Sequence, residues 1–108
     1  MNPRDYIREG QAPWSDIMMG IDGKFIRRGQ GPWGEILYNI DGTDIREGQT
    51  HMGRILFTID TETGRSLGKI FIREGQGPWG RIVYNIDEDG YIREGENIWG
   101  TIVAHISE

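Results

Sequence analysis

Nearly the same segment recurs five times along this chain, and this repetition constrains the fold more than any other feature. The segment from Phe25 to Asp41 is matched by the segment from Phe71 to Asp87 at all but three positions, and weaker copies begin near residues 6, 44 and 91. One position shows the spacing of 19, 19, 27 and 20 residues: Trp14, Trp33, Met52, Trp79, Trp99. A recurring period of this length is typical of repeat architectures.

Each repeat has the pattern of two short strands joined by a turn. Residues 35–41 alternate between apolar and mostly polar side chains, which predicts a strand with Ile36, Tyr38 and Ile40 on the core face and Asn39 on the other. A shorter alternating segment, Phe25 to Arg27, precedes it. Between them lies Gly-Gln-Gly-Pro-Trp-Gly, in which glycine permits positive φ and proline cannot donate a ladder hydrogen bond, so we expect a turn.

Short hairpins are predicted after the second strand of most repeats. Asp-Gly is the dipeptide that best fits a tight hairpin, and it occurs at these places: Asp22-Gly23, Asp41-Gly42, Asp89-Gly90. The third repeat instead carries extra turn-forming residues around Thr61 to Gly68, which we expect to form a protruding loop because a longer loop costs little to close. The sequence therefore predicts about ten antiparallel strands.

Isoleucine marks the expected core. It occupies three matching places in every repeat: Ile7, Ile17, Ile21, Ile26, Ile36, Ile40, Ile45, Ile55, Ile59, Ile72, Ile82, Ile86, Ile92, Ile102, Ile106. A second series is expected on the same face: Met19, Tyr38, Phe57, Tyr84, Ala104. A third is expected on the opposite face: Met18, Leu37, Leu56, Val83, Val103. An open sheet would leave two edges unpaired. We therefore expect the first and last strands to pair within one molecule, and the third series to drive homo-oligomer formation.

These features predict an all-β domain spanning residues 1–108, with five two-stranded hairpins closed into a pseudo-five-fold, small propeller-like ring. The repeats are expected at about residues 6–24, 25–43, 44–70, 71–90 and 91–108. The recurring pattern Ile-Arg-x-Gly…Gly-x-Ile-x-x-x-Ile-Asp, seen again at Tyr91 to Gly95, resembles the small bacterial five-fold β-flower proteins. The resemblance implies a compact ring of petals and carries no implication about activity.

Composition excludes several classes of function. A net charge of -5 argues against nucleic-acid binding, which depends on clustered Lys and Arg. No cysteine is present, so the fold has no disulfide, and no apolar stretch is long enough to span a membrane. The given sequence shows no signal peptide, so the location is left open, with the cytoplasm as the default expectation. No cofactor is expected.

Catalysis is not expected either. His51 and His105 lie in different repeats. His51 takes a place that holds Pro in other turns, and His105 takes a place that holds an Asn expected to face solvent. Both are therefore expected to be neutral substitutions and not metal ligands or catalytic bases. The serines show no nucleophile motif, and the glycine-rich turn lacks the Lys-Ser/Thr and the helix of a phosphate loop. The sequence predicts a protein that is not an enzyme and has no metal site.

The turn tryptophans are the first candidate binding residues: Trp14, Trp33, Trp79, Trp99. Either each ring packs over a neighbouring hairpin and holds the turn, or the rings are exposed and form a repeated platform for a glycan or another small ligand. In the second case the polar contacts would come from the turn glutamines: Gln11, Gln30, Gln49, Gln76. The exposure of the rings separates the two alternatives.

The arginines in register are the second candidate: Arg8, Arg27, Arg46, Arg73, Arg93. On a closed ring they could hold an anion or nucleotide through paired hydrogen bonds. Alternatively they pair with carboxylates, either the glutamates that follow them or the aspartates that end the preceding strands. The leading hypothesis is a binding module using the Trp turns; a structural homo-oligomer and an anion-binding ring are the alternatives.

Overall fold

The computed structural model describes residues 4–31, 33–97 and 99–107, and these form an all-β fold. The strands are β1 (Arg4–Glu9), β2 (Ile17–Asp22), β3 (Phe25–Arg28), β4 (Ile36–Asp41), β5 (Asp44–Glu47), β6 (Ile55–Asp60), β7 (Ile70–Glu74), β8 (Ile82–Ile86), β9 (Tyr91–Glu94) and β10 (Ile102–Ser107). One 3₁₀ turn, Arg65–Leu67, lies between β6 and β7.

The ten strands close into an antiparallel barrel in which each strand pairs with its neighbours in sequence. Closure is made by β1 and β10, which pair antiparallel with Tyr6 opposite Ser107 and Ile7 opposite Ile106. The prediction that the first and last strands pair within one molecule is confirmed. Closure leaves no strand edge of this sheet unpaired, which removes the template that open edges offer for aggregation.

Two kinds of connection alternate around the barrel. Two-residue hairpins join β2 to β3 and β4 to β5. Each contains the glycine of a predicted Asp-Gly dipeptide, and this glycine has a positive φ, 62° at Gly23 and 65° at Gly42. These two predicted hairpins are confirmed. Residues 61–69 form the inserted loop between β6 and β7, and Leu67 within it is 66% exposed. Residues 87–90 connect β8 to β9, so the Asp89-Gly90 dipeptide lies in a four-residue loop and not in a two-residue hairpin. The remaining connections are the long turns, defined as residues 10–16, 29–35, 48–54, 75–81 and 95–101.

A β-bulge interrupts the alternation predicted for the second strand of each hairpin. In β4, Tyr38 is opposite Ile26 but Ile36 is opposite Arg27, so Leu37 is the extra residue. Directly opposed residues share a face of the sheet, so Ile36 lies on the face of Arg27 and not, as predicted, with Tyr38 and Ile40. The same register shift recurs at the rest of the third apolar series: Met18, Leu56, Val83, Val103.

The paired isoleucines form the inner face of the barrel. Ile21 opposes Ile26, Ile40 opposes Ile45, and Ile26 is 8% exposed; the further pairs are Ile59–Ile72, Ile86–Ile92 and Ile7–Ile106. Most of these side chains are half-buried. Ten strands ~4.8 Å apart and tilted by about 40° close into a barrel about 20 Å across. Because the molecule measures 36 × 35 × 23 Å, the remaining width is taken up by the long turns, which lie outside.

The outer face holds a polar core that the sequence pattern did not predict. Asn39 is 3% exposed, Asn85 is fully buried and His105 is 7% exposed. The expectation that this position faces solvent, and that His105 replaces an exposed Asn, is therefore wrong. The physical reason is that each long turn folds back over the outer face and covers the preceding hairpin, so these side chains lie beneath backbone instead of water. His51 is exposed in its turn, as expected.

Candidate binding surface

The four turn tryptophans are among the most exposed side chains of the described residues. Trp33 and Trp79 are 93% exposed, and Trp14 and Trp99 are 84% exposed. Met52, at the same place in the third repeat, is 82% exposed. The alternative in which each ring packs over a neighbouring hairpin is wrong, because a packed ring would lose most of its accessible surface. Gln11, Gln30, Gln49 and Gln76 are exposed in the same turns.

The turns that present these rings are fastened to the barrel by the arginines in register. Nη1 of each donates a hydrogen bond of 2.8–3.2 Å to the backbone carbonyl seven residues later: Arg8 to Ser15, Arg27 to Gly34, Arg46 to Gly53, Arg73 to Gly80, Arg93 to Gly100. A charged donor strengthens such a bond. Each guanidinium therefore holds the end of its own long turn.

The other side of most of these guanidinium groups is paired with an aspartate. Nε of Arg73 lies 2.8 Å from Oδ2 of Asp60, and the corresponding Nε–Oδ2 distances are Arg46–Asp41 3.2 Å, Arg27–Asp22 3.6 Å and Arg93–Asp87 3.8 Å. Nε of Arg8 donates to Ser107 at 3.0 Å. This geometry favours the carboxylate alternative over an anion-binding ring, since four of the five guanidinium groups already lie beside an aspartate.

Asp60 has the most strongly held carboxylate of the described residues. Its Oδ2 accepts the Thr63 hydroxyl at 2.6 Å and Arg73 Nε at 2.8 Å, and its Oδ1 accepts the backbone N–H groups of Glu62 and Thr63 at 3.0 Å. These hydrogen bonds, led by the one from the Thr63 side chain, hold the pKa of Asp60 far below its ordinary value of 3.8. The same contacts fix the start of the inserted loop.

Close backbone approach favours glycine at the end of four of the five long turns. A Cβ added to Gly34 would overlap the carbonyl oxygen of Arg28, and the same conflict arises at Gly53, Gly80 and Gly100. Ser15 takes this place in the first turn. In these four turns glycine therefore lets the turn pass against the strand that precedes it.

The buried polar residues bind each turn to the preceding hairpin. Asn39 Nδ2 donates to the carbonyls of Gly48 and Thr50 at 2.9 and 3.0 Å, and Asn85 Nδ2 donates to those of Gly95 and Asn97 at 2.8 and 3.3 Å. We call Asn39, Thr58, Asn85 and His105 the clamp residues. Gly20 holds the matching place in the first repeat, where the Tyr6 ring lies beside it.

The other two clamp residues use different groups for the same purpose. The Thr58 hydroxyl donates to the Gly75 carbonyl at 2.8 Å and accepts the Gly77 N–H at 2.9 Å. Nδ1 of His105 lies 2.7 Å from the Gly10 carbonyl oxygen. Since a carbonyl can only accept, Nδ1 carries the proton. The recurrence of Asn at matching places, residues 39 and 85, was the sequence signal for these residues.

An open pocket lies on the outer face beside the fourth long turn. It has a volume of about 440 Å³ and is bounded by Thr58, by the base of the inserted loop and by Gln76 to Pro78. Within residues 4–31, 33–97 and 99–107, no cluster of three or more His, Cys, Asp or Glu is arranged to hold a metal ion, and no helix is long and apolar enough to cross a membrane.

These features define the class: an all-β protein with a closed barrel of ten antiparallel strands, whose long turns are fastened to its outer face. A family model described as "6-fold beta flower protein" matches residues 4–70, which is more than half of the chain. The chain belongs to this β-flower family. The sequence predicted a five-fold β-flower, so the family is correct and the repeat number differs. Searches of curated proteins and of solved structures found no match.

Proposed function

We propose that this protein is a non-enzymatic binding module whose ligand surface is formed by the tryptophans of the long turns. The observation that carries the proposal is the exposure of these rings, 84–93%. Water-exposed indole rings contribute little to the stability of the chain that bears them, whereas a flat aromatic face with a polar edge suits stacking on a ligand. The exposed turn glutamines supply donors and acceptors beside them.

The rigidity of the turns supports this proposal. An Arg–carbonyl hydrogen bond holds each long turn. Four of the five turns also have a glycine in close contact with backbone, and four of the five have a clamp residue. A ligand site on a held turn loses little conformational entropy when it binds. We also infer that the barrel is built of five equivalent hairpin units, which would present the rings at regular intervals and allow several to engage one multivalent ligand.

A glycan array tests the proposal. The wild-type chain should bind a subset of glycans, and the variant Trp33→Ala/Trp79→Ala should lose that binding while its circular dichroism stays unchanged. Gln30→Ala/Gln76→Ala should weaken binding to a smaller extent. Failure of the wild-type chain to bind any glycan, or full binding by the double Trp variant, would contradict the proposal.

Self-association is the second candidate, and the same exposed apolar residues favour it. The third apolar series, from Met18 to Val103, is half-buried at the bulges, so a contact between copies would use the four tryptophans and Met52. Light scattering at micromolar concentration would then give a mass above 12.4 kDa, and Trp33→Ala/Trp79→Ala would lower it. A monomeric mass for the wild-type chain would leave the binding module as the remaining candidate.

A further inference from the structure

The pocket beside the fourth long turn differs in construction from the surroundings of the other turns. The inserted loop, residues 61–69, is present at one hairpin, as the 27-residue spacing from Met52 to Trp79 reflects. Thr61 and Glu62 of this loop form one wall of the pocket, and Gln76, Gly77 and Pro78 form the opposite wall. The loop therefore turns an open strip of the outer face into a concavity.

The floor of the pocket is also specific to this repeat. Thr58 stands there in the place that Asn39 and Asn85 occupy elsewhere. Threonine is shorter than asparagine, so it leaves more room above the sheet. Its hydroxyl accepts the N–H of Gly77, whose φ of 94° is accessible mainly to glycine. This hydrogen bond holds the fourth turn at Thr58, and Trp79 directly follows Pro78, which lines the pocket.

The polar groups of the pocket suit hydroxyl groups. The side chains of Thr43, Thr61 and Gln76 can both donate and accept hydrogen bonds. The pocket also contains three carboxylates, and each has an arginine partner. Asp60 pairs with Arg73 at 2.8 Å, Glu62 with Arg65 at 3.5 Å, and Asp44 with Arg46 at 4.0 Å.

The pairing of the pocket carboxylates with arginines indicates which ligand charge the pocket favours. Asp60 and Glu62 each lie beside their own arginine, whereas Asp44 shares Arg46 with Asp41. The carboxylate oxygens of Asp44 and Glu62 keep lone pairs that can accept from a hydroxyl. The three carboxylates would repel the negative charge of an acidic sugar, because their arginine partners are already engaged in ion pairs. A cationic sugar would gain little from acids that are already paired. The local chemistry therefore favours a neutral ligand rich in hydroxyl groups.

We propose that this pocket binds one neutral saccharide unit, with Trp79 stacking on the sugar and Gln76 and Thr61 bonding its hydroxyls. The proposal rests on the function proposed above and makes it more specific: one high-occupancy site per chain instead of several equivalent ones. The volume of about 440 Å³ lies within the range of small-molecule pockets, roughly 300–1,000 Å³.

Calorimetric titration of the full chain with disaccharides of similar size tests this. The neutral probes are cellobiose, lactose and N,N′-diacetylchitobiose; the charged ones are digalacturonic acid and fully deacetylated chitobiose. At least one neutral probe should bind with a stoichiometry of one, and digalacturonic acid should bind about tenfold more weakly or not at all. Tighter binding of either charged probe than of every neutral probe would overturn the proposal.

Matched variants locate the site. Trp79→Ala should weaken binding of the neutral probe by about tenfold or more, and Gln76→Ala should weaken it by a smaller factor. Trp33→Ala, the equivalent change in the second long turn, should weaken it less than Trp79→Ala does. Glu96→Ala, at an exposed residue of the fifth long turn that does not line the pocket, should change it less than about twofold. Equal losses of affinity for Trp33→Ala and Trp79→Ala would overturn the single-pocket proposal and favour a binding surface shared by several turns.

The glycan array separates failure of this proposal from failure of the proposed function. If no neutral disaccharide binds while the array shows Trp-dependent binding of a larger glycan, the pocket proposal alone is wrong. If the array and the titrations are both blank, the proposed function is wrong as well.

Discussion

The Nζ atom of Lys69 lies 2.9 Å from Oδ1 of Asn85, and both side chains are buried. Lys69 ends the inserted loop, and the amide nitrogen of Asn85 donates in the opposite direction to the fifth long turn. The Asn85 amide therefore links the Lys69 ammonium group, at the end of the inserted loop, to the backbone of the fifth long turn. A buried ammonium is costly unless its donors are satisfied, so this contact orders the end of the inserted loop.

Replacing Asn85 should therefore cost more than replacing its equivalent, Asn39. Both changes to Ala remove two hydrogen bonds to turn carbonyls, at about 1–3 kcal/mol for each buried group left unpaired. Asn85→Ala also leaves the Lys69 ammonium without this acceptor, so we expect the larger loss. Chemical denaturation of both variants measures the difference. Equal free energies of unfolding would show that the Lys69 contact contributes nothing.

Gly34 should tolerate no side chain. Gly34→Ala places a Cβ against the Arg28 carbonyl, so the turn must move and we expect a loss of more than about 2 kcal/mol. Gly31→Ala, in the same turn, meets open space and should change stability by less than about 1 kcal/mol. Thermal melting of the two variants decides this, and similar melting temperatures would refute the steric argument.

Truncating the exposed tryptophans should leave the fold nearly unaffected. Trp33→Ala and Trp79→Ala remove rings that are 93% exposed, so we expect changes within about 0.5 kcal/mol. A core Trp or Phe truncated to Ala would cost about 3–5 kcal/mol. Phe71→Ala, which removes a side chain that is 5% exposed, is the positive control. A large drop in melting temperature for either Trp variant would indicate a structural role.

Acid should destabilise the protein partly through Asp60. Its pKa is lowered in the folded state, so the folded chain binds its proton less readily than the unfolded chain. The resulting stability is present above pH 3.8, the ordinary value, and is lost as the pH falls below it towards the depressed pKa. Asp60→Asn should therefore lower the melting temperature at pH 7 and make it depend less on pH between about 4 and 2.

Asp41→Asn is the control for this titration. Its carboxylate also pairs with an arginine, at 3.2 Å, but it is 53% exposed, and water screens an exposed pair. We expect a smaller drop in melting temperature at pH 7 than for Asp60→Asn. Identical pH profiles for Asp60→Asn and the wild-type chain would contradict the role of Asp60.

The strands and tight hairpins were predictable because their signals are local. Asp22-Gly23 is flanked by alternating apolar residues, and the positive φ at Gly23 is what a two-residue hairpin needs. Closure followed from counting edges: the strands containing Tyr6 and Ser107 had no other partner within a single chain. These conclusions needed no knowledge of how the long turns lie.

The bulges and the buried polar face were not predictable from local pattern. The bulge at Leu37 depends on the register between β3 and β4, which a single strand's pattern does not contain. Strict alternation therefore assigned Ile36 to the wrong face. The burial of Asn39 depends on a turn nine to eleven residues later in the chain. The exposure of Trp33 was undecided for the same reason: a ring in a turn can fold inward or outward, depending on how the turn lies against the sheet.

The clamp contacts have a consequence for how the molecule comes apart. Asn39 holds the turn after it, Thr58 and Asn85 do likewise, and His105 reaches across the closure to Gly10 at the start of the chain. In a linear array the terminal repeats have one neighbour and can fray independently. Here β10 pairs with β1 and His105 holds the first long turn, so neither terminal strand has a free edge from which unfolding can begin. We therefore expect local opening to begin at the second long turn, where Gly20 takes the place of a clamp residue.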